Sequence, residues 1–276
     1  DIDRFKLGNY NPDFGIYILG EIVTKLRANK VKRKLENGEV ALCLQGELTP
    51  DLVEFFGPIG FDGIWIEAEH GPIDFADIRD FTRAADLWGL TSIARVNLNL
   101  PGVIYRTLDQ GAQGIVVPHV NTADAARAVV NASKFAPIGS RGSYTSRQGI
   151  GVEDYFQNAN DEVLTMILIE DIIAIENLDE ILKIDNIDVF FVAPGDLAQS
   201  MGYFGDMAHP EVQNMVDLTI GRIVSSGRVA GALVTDNSVE SYIKKGARFV
   251  SITYTGWLQQ SAKSYLNRAY SAIDKL

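Results

Sequence analysis

Ionisable side chains follow several short apolar runs of this sequence, at points where buried strands would end. Glu67 and His70 follow the run GIWI, and Arg95 follows SIA. Glu170 follows LTMILI, and Asp196 comes shortly after FFV. Carboxylate, imidazole and guanidinium groups can hold a cation, move a proton or bind an anion. The chemistry that results depends on which of these groups meet in the fold.

Glu170 and Asp196 are candidate metal ligands. Two carboxylates that leave room for water suit a hard divalent cation such as Mg²⁺ or Mn²⁺, which keeps open positions for a substrate. A cation held in this way can bind a 2-oxo acid through its oxygens and stabilise the enolate formed from it. Two acids are a weak motif, and a pair of surface salt bridges is the alternative interpretation.

Arg95 and His70 are candidates for anion binding and proton transfer. Arg95 lies in a run that should be largely buried, so its guanidinium needs a partner, either a substrate carboxylate or enolate oxygen or a structural acid. His70 stands beside Glu67 and Glu69, and a carboxylate could orient its imidazole as a general base. Alternatively, His70 only shapes the turn before Gly71-Pro72.

Two further positions at strand ends stay open between a site and a structural role. In Pro194-Gly195-Asp196-Leu197, a run that follows a strand and opens a helical stretch, backbone N–H groups could bind a substrate carboxylate. An ordinary turn between strand and helix is the alternative. His119 follows Pro118 at another strand end and is either a site residue or a packed side chain.

The elements that must position these residues alternate regularly along the chain. Short runs rich in Val and Ile alternate with amphipathic stretches, which is typical of βα units around a parallel sheet. Strands are predicted at 40–48, 63–69, 91–97, 114–120, 164–171, 188–195, 229–234 and 248–254. Helices are predicted at 50–58, 73–89, 101–111, 122–134, 174–184, 209–227, 237–246 and 256–275. Eight strands, each followed by a helix, predict a closed (β/α)8 barrel of the TIM type, whose active site lies at the carboxyl ends of the strands.

Three segments stand out from this regular pattern. Residues 1–30 are predicted to form an N-terminal arm, and residues 31–276 the barrel domain. The basic cluster Lys30–Lys34 is interpreted as a solvated helix face. Residues 136–163 are predicted to form a long loop rich in Gly, Ser and Arg, and a loop of that length usually carries function or an interface.

The overall composition narrows the classes of function. The 276 residues carry a formal net charge of −11 at pH 7, which disfavours nucleic-acid binding because phosphate contacts need clustered Lys and Arg. We find no apolar run of ~18 residues that would span a membrane. The single cysteine, Cys43, excludes an intrachain disulfide and suits the reducing cytoplasm, where we expect the protein to act. Neither a G-x-G-x-x-G motif nor a P-loop is present, which disfavours a redox or nucleotide enzyme.

Longer blocks of the sequence resemble the HpcH/HpaI aldolase family, the class II metal-dependent pyruvate aldolases of the phosphoenolpyruvate/pyruvate barrel superfamily. The blocks are GFDGIWIEAEHGP, RVN, DQGAQGIVVPHVNTADAA, FAPIGSRG, LIEDIIAIENLDEIL and FVAPGDLAQSMGY. They occur in the family's order and extend over roughly residues 30–270. The resemblance implies reversible aldol cleavage of a 4-hydroxy-2-oxo acid to pyruvate, or a related 2-oxo acid, and an aldehyde.

The resemblance also implies roles for the residues of the metal and substrate site. Glu170 and Asp196 correspond to the two protein ligands of a divalent metal, which would be Mg²⁺ or Mn²⁺, with Co²⁺ as a further option. Arg95 corresponds to the arginine that binds the pyruvate oxygen and steadies the enolate. Gly195 matches the backbone position that, together with Asp196, holds the substrate.

Further roles implied by the resemblance concern proton transfer and assembly. His70 corresponds to the histidine that moves protons, and Glu67 to the acid that partners it. Asp109 matches an aspartate near the site that supports catalysis, either within its own chain or from a subunit boundary. Members of the family form trimers or hexamers in which the C-terminal helix is exchanged, so a homo-oligomer is expected here. We expect the 136–163 loop to shape the pocket for the aldehyde, in this or a neighbouring subunit.

The chain departs from the family pattern at three places. Glu67 stands where better-known members have Asp, and Leu168 stands where they have Gln. Leu44-Gln45 stands where they have Trp. Two alternatives stay open. One is a CoA-ester lyase of the citrate-lyase type, and the other is a non-catalytic barrel that binds a ligand, for which the Glu67 and Leu168 departures leave room.

Overall fold

Eight parallel strands close into a barrel in a computed structural model that describes residues 16–18 and 21–276, with side chains from residue 24 onward. The strands of the barrel are β3 (Ala41–Gln45), β4 (Gly63–Glu67), β5 (Thr91–Arg95), β6 (Gly114–Val117), β7 (Leu164–Ile169), β8 (Val189–Val192), β9 (Ala230–Val234) and β10 (Phe249–Thr253). Each strand pairs with its neighbours in chain order, and β10 pairs with β3 to close the ring. The predicted (β/α)8 barrel is confirmed.

Two short strands precede the barrel, β1 (Ile16–Ile18) and β2 (Glu21–Val23), and they form a separate antiparallel pair. Most of the predicted N-terminal arm, residues 1–15 and 19–20, lies outside the described residues. The domain boundary after residue 30 therefore stays a prediction.

Helices cover the outside of the barrel and connect the strands. They are α1 (Lys30–Glu36), α2 (Pro50–Phe56), α3 (Phe75–Leu87), α4 (Pro101–Asp109), α5 (Ala123–Ser133), α6 (Tyr155–Glu162), α7 (Ile172–Glu176), α8 (Leu178–Ile181), α9 (Pro194–Ser200), α10 (Pro210–Ser225), α11 (Val239–Lys244) and α12 (Thr255–Ile273). Several of them start with a side-chain cap. The Thr122 side chain, for example, accepts a hydrogen bond from the Ala125 N–H at the start of α5.

The strands are buried on both faces because each face packs against a different layer. In β7, Met166 and Leu168 point into the barrel interior, where they join Trp65 and Phe191. The alternate residue Ile167 packs outward against the helices. Side chains of a strand point alternately to its two faces, so one apolar run serves both layers. This explains why these runs are continuously hydrophobic.

Helix α1 closes the amino end of the barrel. Lys32 is buried, and its Nζ lies 2.6 Å from Asp188 Oδ1. Lys30 and Lys34 both pair with the buried Asp62. The prediction of a solvated basic face was therefore wrong for Lys32, because acids far away in the sequence lie beneath the helix.

The 136–163 segment contains more structure than the sequence predicted. It includes a short 3₁₀ turn (Arg147–Gly149) and helix α6. Helix α6 buries Tyr155 and Ala159 in a small cluster with Phe135 and Val152. Since the segment connects the end of α5 to the start of β7, it lies at the amino end of the strands.

The C-terminal helix α12 has no buried residue in the single chain. Apolar side chains along it, such as Leu258, Tyr265 and Leu266, are exposed. Exchange of this helix between subunits stays a prediction. No helix in the described part of the chain combines the length and apolar character needed to cross a membrane.

Candidate active site

The ends of β4 and β5 bring together an arginine and two glutamates. Glu67 and Arg95 are the last residues of their strands and stand side by side in the register. Arg95 Nε donates to Glu67 Oε2 at 2.7 Å, and its Nη1 lies 2.9 Å from Glu69 Oε2. A single guanidinium therefore holds both carboxylates at the rim of the barrel.

Glu67 also fixes the turn that carries His70. Its Oε1 accepts hydrogen bonds from the backbone N–H groups of Glu69 and His70, at 3.0 and 3.1 Å. The indole Nε1 of Trp65 donates to Glu67 Oε2 at 3.3 Å. The longer side chain found here in place of Asp is thus fully engaged with the turn and with Arg95.

The acid beside the His70 imidazole is Glu69. The distance from His70 Nε2 to Glu69 Oε2 is 3.8 Å, and the imidazole is largely exposed. Glu69 itself is almost buried, and burial raises the pKa of its carboxyl, an effect that the positive charge of Arg95 partly offsets. In this structure Glu67 supports His70 through the main chain, and Glu69 faces its ring.

Glu170 follows β7 and is nearly inaccessible, with 2% of its surface exposed. Its Oε1 accepts the backbone N–H of His119 at 2.7 Å, and His119 Nδ1 lies 3.3 Å from the same oxygen. His119 adopts the left-handed backbone conformation with φ of 53°. The structure therefore places His119 beside Glu170, and its role as a site residue stays a prediction.

Glu170 forms no ion pair with a Lys or Arg side chain among the described residues, and His119 is its one basic neighbour there. Burial raises its pKa to about 7, and the negative charges of Asp196 and Glu69 act in the same direction. The backbone hydrogen bond from His119 and the charge of its imidazole oppose this rise. The second oxygen, Oε2, is buried and has no hydrogen-bond partner among the residues that the structure describes. A buried polar atom without a partner is rare and calls for an explanation.

A divalent cation fits this arrangement. It would supply the missing partner of Glu170 Oε2, and Asp196, in the first turn of α9, would contribute a second carboxylate from the neighbouring β8. Among the residues that the structure describes, no group of three or more His, Cys, Asp or Glu side chains is arranged to enclose a metal. A cation held by two carboxylates keeps most of its positions for water and substrate.

A cavity of about 190 Å³ opens between these strand ends. Its polar wall includes Glu67, Arg95, Gly195 and Asp196. The remaining lining residues are Gln45, Trp65, Leu168, Phe191, Ala193, Pro194, Met207 and Leu233. The cavity therefore has a charged side and a mainly apolar side, and it is large enough for a small organic acid and its reaction partner.

Asp109 does not join this group within one chain. It is the last residue of α4, just before β6 begins, so it lies at the amino end of the strands. Its carboxylate lies 2.7 Å from Nη2 of the buried Arg141. Arg147 likewise pairs with Asp86 at the same end. Any part that Asp109 or the 136–163 segment plays in catalysis would have to be in a neighbouring subunit.

The sequence model of the HpcH/HpaI aldolase/citrate lyase family matches residues 42–262, which include every strand-end residue described above. The chain belongs to this family of carbon–carbon lyases.

Curated relatives and a solved structure agree with this assignment. The chain is 37% identical over 234 residues to a 2-keto-3-deoxy-L-rhamnonate aldolase of Klebsiella pneumoniae, which covers 82% of this chain and 87% of the relative. It is 35% identical over 230 residues to a hydroxypyruvate/pyruvate aldolase of Roseobacter denitrificans, covering 81% and 90%. The fold is similar to that of an HpcH/HpaI aldolase/citrate lyase family protein from Burkholderia cenocepacia, with a TM-score of 0.82, 26% identity, and coverage of 88% and 100%.

Proposed function

We propose that this protein is a class II aldolase that reversibly cleaves a 4-hydroxy-2-oxo acid to pyruvate, or a related 2-oxo acid, and an aldehyde. The observation that carries the proposal is the buried Oε2 of Glu170, which has no hydrogen-bond partner in the described part of the chain and shares one barrel rim with Asp196 and Arg95 in a member of a lyase family. The names of the two relatives, both aldolases of oxo acids, support the same substrate class.

Glu170 and Asp196 would hold a divalent cation, with Mg²⁺ or Mn²⁺ preferred by their oxygen ligands and Co²⁺ as a further option. When bound, the cation supplies Lewis-acid stabilisation of negative charge on the substrate oxygens. The burial of Glu170 favours this role, because a carboxylate in a low-dielectric site gains more from a positive partner than an exposed one does.

Arg95 would bind the 2-oxo acid and stabilise its enolate. Its Nε and Nη2 contact Glu67, and its Nη1 contacts Glu69. Each terminal nitrogen carries two N–H donors, so one donor on Nη1 and one on Nη2 remain for a substrate oxygen. These donors are held rigidly by two acids, so they need little rearrangement as charge develops. The backbone at Gly195, which lines the same cavity, would receive the substrate carboxylate.

His70 would move the proton in this reaction. In the cleavage direction, a base takes the proton of the C4 hydroxyl, and the C3–C4 bond breaks to release the aldehyde. The electron pair of that bond stays with C3 and forms the enolate. A proton returned to C3 then completes pyruvate. The exposed imidazole faces Glu69, which can stabilise the protonated ring, and Glu67 holds the turn in place.

We further propose that the enzyme acts as a homo-oligomer, a trimer or hexamer, in the cytoplasm. The exposed apolar side chains of α12 would be covered by a neighbouring subunit, which is the arrangement expected from the family resemblance. Asp109 would then contribute to a neighbour's site rather than to its own.

An aldehyde panel incubated with pyruvate, with and without Mn²⁺, tests the proposed function. We expect aldol products, identified by mass, only when the divalent cation is present, and loss of turnover on addition of EDTA. Cleavage of a CoA thioester without aldol activity, or turnover that survives EDTA, would contradict the proposal.

A further inference from the structure

His119, in the turn between β6 and α5, makes two contacts with one oxygen of Glu170. Its backbone N–H donates to Glu170 Oε1 at 2.7 Å, and its ring Nδ1 lies 3.3 Å from the same oxygen. The other oxygen, Oε2, is buried and has no hydrogen-bond partner in the described part of the chain. The main chain and the side chain of one residue therefore converge on Oε1 and leave Oε2 to a ligand.

The backbone of His119 is held in an unfavourable conformation. Its φ of 53° lies in the left-handed region, where the Cβ of an L-residue comes too close to the following carbonyl oxygen. Among the non-glycine residues that the structure describes, only Asn186 shares this conformation. A residue keeps such a conformation only where its surroundings impose it, and these positions cluster at functional sites. At His119 the conformation accompanies the backbone N–H contact with Glu170.

The turn that carries His119 is anchored to the segment that carries Glu170. Asn121 Nδ2 donates to Asp171 Oδ2 at 3.4 Å, and Asn177 Nδ2 donates to the carbonyl oxygen of Asn121 at 2.9 Å. These bonds join the residues directly after His119 to the residues directly after Glu170. The two contacts with Oε1 are therefore made between parts of the chain that are already tied together.

The ring of His119 also approaches the second acid of the site. Its Nε2 lies 4.0 Å from Oε1 of Glu69, the carboxylate that pairs with Arg95. Among the described residues, His119 is the one basic side chain within 4 Å of a Glu170 oxygen. The imidazole thus stands between the acid proposed to bind the metal and the acid that holds the arginine.

A carboxylate that rotates freely must be ordered when it binds a cation, and a group that is ordered beforehand avoids this cost. We propose that His119 is a positioning residue for metal binding. Its main chain and its imidazole fix Oε1 of Glu170, so that Oε2 is presented to the divalent cation. This inference rests on the proposed function and adds to it a residue that contacts a proposed metal ligand and is not itself a ligand.

Removing the ring while keeping the backbone conformation tests the proposal. Asn is among the residues that best tolerate the left-handed region, and Gly adopts it without steric cost. The Kd for Mn²⁺ is measured without substrate, from the EPR signal of the free ion. His119→Asn and His119→Gly should each raise this Kd by about ten-fold, because partners of metal ligands typically contribute roughly that much or more to metal affinity. Wild-type Kd values in both variants would overturn the proposal.

His209→Asn is the matched control for the loss of an imidazole. His209 caps the start of α10 and is not among the residues that line the active-site cavity. Asn is also a favourable capping residue, so the helix start is kept. The Kd for Mn²⁺ should stay at the wild-type value in this variant. A Kd raised as much in His209→Asn as in the His119 variants would contradict a specific role for His119.

A second measurement separates positioning from direct catalysis. Exchange of the pyruvate methyl protons with deuterium, followed by NMR, reports enolate formation, and it is measured over a range of Mn²⁺ concentrations. The His119 variants should need about ten-fold more Mn²⁺ for half-maximal exchange and should approach the wild-type rate at saturation. An unchanged half-maximal concentration with a lower saturated rate would show that His119 acts on the substrate directly, and would overturn its assignment as a positioning residue.

The same measurements separate this inference from the proposed function. A wild-type enzyme that binds no Mn²⁺, or that shows no Mn²⁺-dependent exchange, contradicts the proposed function itself. A wild-type enzyme that does both, together with His119 variants of wild-type Mn²⁺ affinity, contradicts only the role of His119.

Discussion

At the scale of single residues, the site is organised by charges that are held close together. Arg95 lies between Glu67 and Glu69, and Glu170 is buried with an oxygen, Oε2, that has no hydrogen-bond partner in the described part of the chain. The first arrangement gives a rigid donor, and the second gives a carboxyl that is poorly stabilised in its charged form. Each arrangement leads to a measurable consequence.

Replacing Arg95 tests the rigid donor. Arg95→Lys keeps the positive charge but loses the planar fork that contacts two acids, so we expect kcat/KM for aldol cleavage to fall by about 10²-fold or more. The steady-state rate with saturating Mn²⁺ is the measurement. The surface substitution Arg127→Lys, at an exposed position of α5, is the matched control. Near-normal turnover in Arg95→Lys would remove Arg95 from the proposed site.

The raised pKa of Glu170 predicts a pH-dependent stability in the absence of metal. The folded value of about 7 lies above the ordinary 4.5, so the folded state binds more protons than the unfolded state between these pH values. Stability contributed by this group is therefore present below pH 4.5 and is lost as pH rises through 7.

Unfolding by urea in EDTA at pH 5 and pH 8 measures this effect. From pH 5 to pH 8 the wild type should lose free energy of unfolding as Glu170 ionises, whereas Glu170→Gln does not titrate there. The free energy of unfolding of Glu170→Gln should therefore rise relative to that of the wild type by on the order of 3 kcal/mol between the two pH values. The exposed Glu180→Gln serves as the control and should show no such gain. Equal pH slopes for wild type and Glu170→Gln would contradict the burial argument.

At the scale of elements, the two ends of the barrel carry different groups: the candidate site lies at the carboxyl ends of the strands, and structural ion pairs and buried cations lie at the amino ends. The turns after β4, β6 and β7 carry Glu69, His119 and Glu170. The helix ends on the other side carry buried cations, among them Lys134 at the end of α5. Its Nζ donates to the carbonyl oxygens of Asn160 and Val163, at 2.8 and 2.6 Å, and so ties α6 to the barrel.

Lys134 predicts a stability change in the alkaline range. Burial lowers its pKa from 10.5 to about 8, so the unfolded state holds more protons than the folded state between these values. The free energy of unfolding of the wild type should therefore rise with pH across this window. Relative to that of Lys134→Met, it should rise by on the order of 3 kcal/mol. Urea unfolding at pH 7, 8, 9 and 10 checks it, with the exposed Lys183→Met as control. A constant difference between wild type and Lys134→Met would count against it.

At the scale of the whole molecule, the single chain leaves surfaces that an assembly would use. Helix α12 buries none of its residues, and Asp109 with Arg141 lies at the barrel end opposite the cavity. Apolar side chains exposed along a helix of this length are costly in water, which favours association through it. Oligomerisation would therefore cover these apolar side chains.

A charge placed on α12 tests this assembly. Leu266→Asp should lower the sedimentation coefficient to that of a smaller species, because it puts a carboxylate where an apolar contact is expected. Asn267→Asp adds the same charge at the adjacent polar position and should leave assembly intact. Circular dichroism confirms that both variants remain folded. A monomeric wild-type protein would contradict the proposed oligomer.

Local patterns were sufficient to predict the barrel and the composition of its rim. The alternation of short Val- and Ile-rich runs with amphipathic stretches is local, so it predicted eight strands and the position of Glu67, Arg95, Glu170 and Asp196 at their ends. The family resemblance then indicated roles for these residues, and the match of the family model confirmed the family. Helix α6 was missed because its burial depends on Phe135 and Val152, outside its own span.

Only the tertiary structure decided how the charges pair. Lys32 is buried because Asp188, 156 positions away, lies beneath it. Glu69 rather than Glu67 faces His70, His119 contacts Glu170, and Gln45 is oriented by Ser251 across the closing pair of strands. A carboxyl's pKa and a side chain's free donors depend on neighbours brought near by the closed ring, and periodicity along the chain carries no information about them.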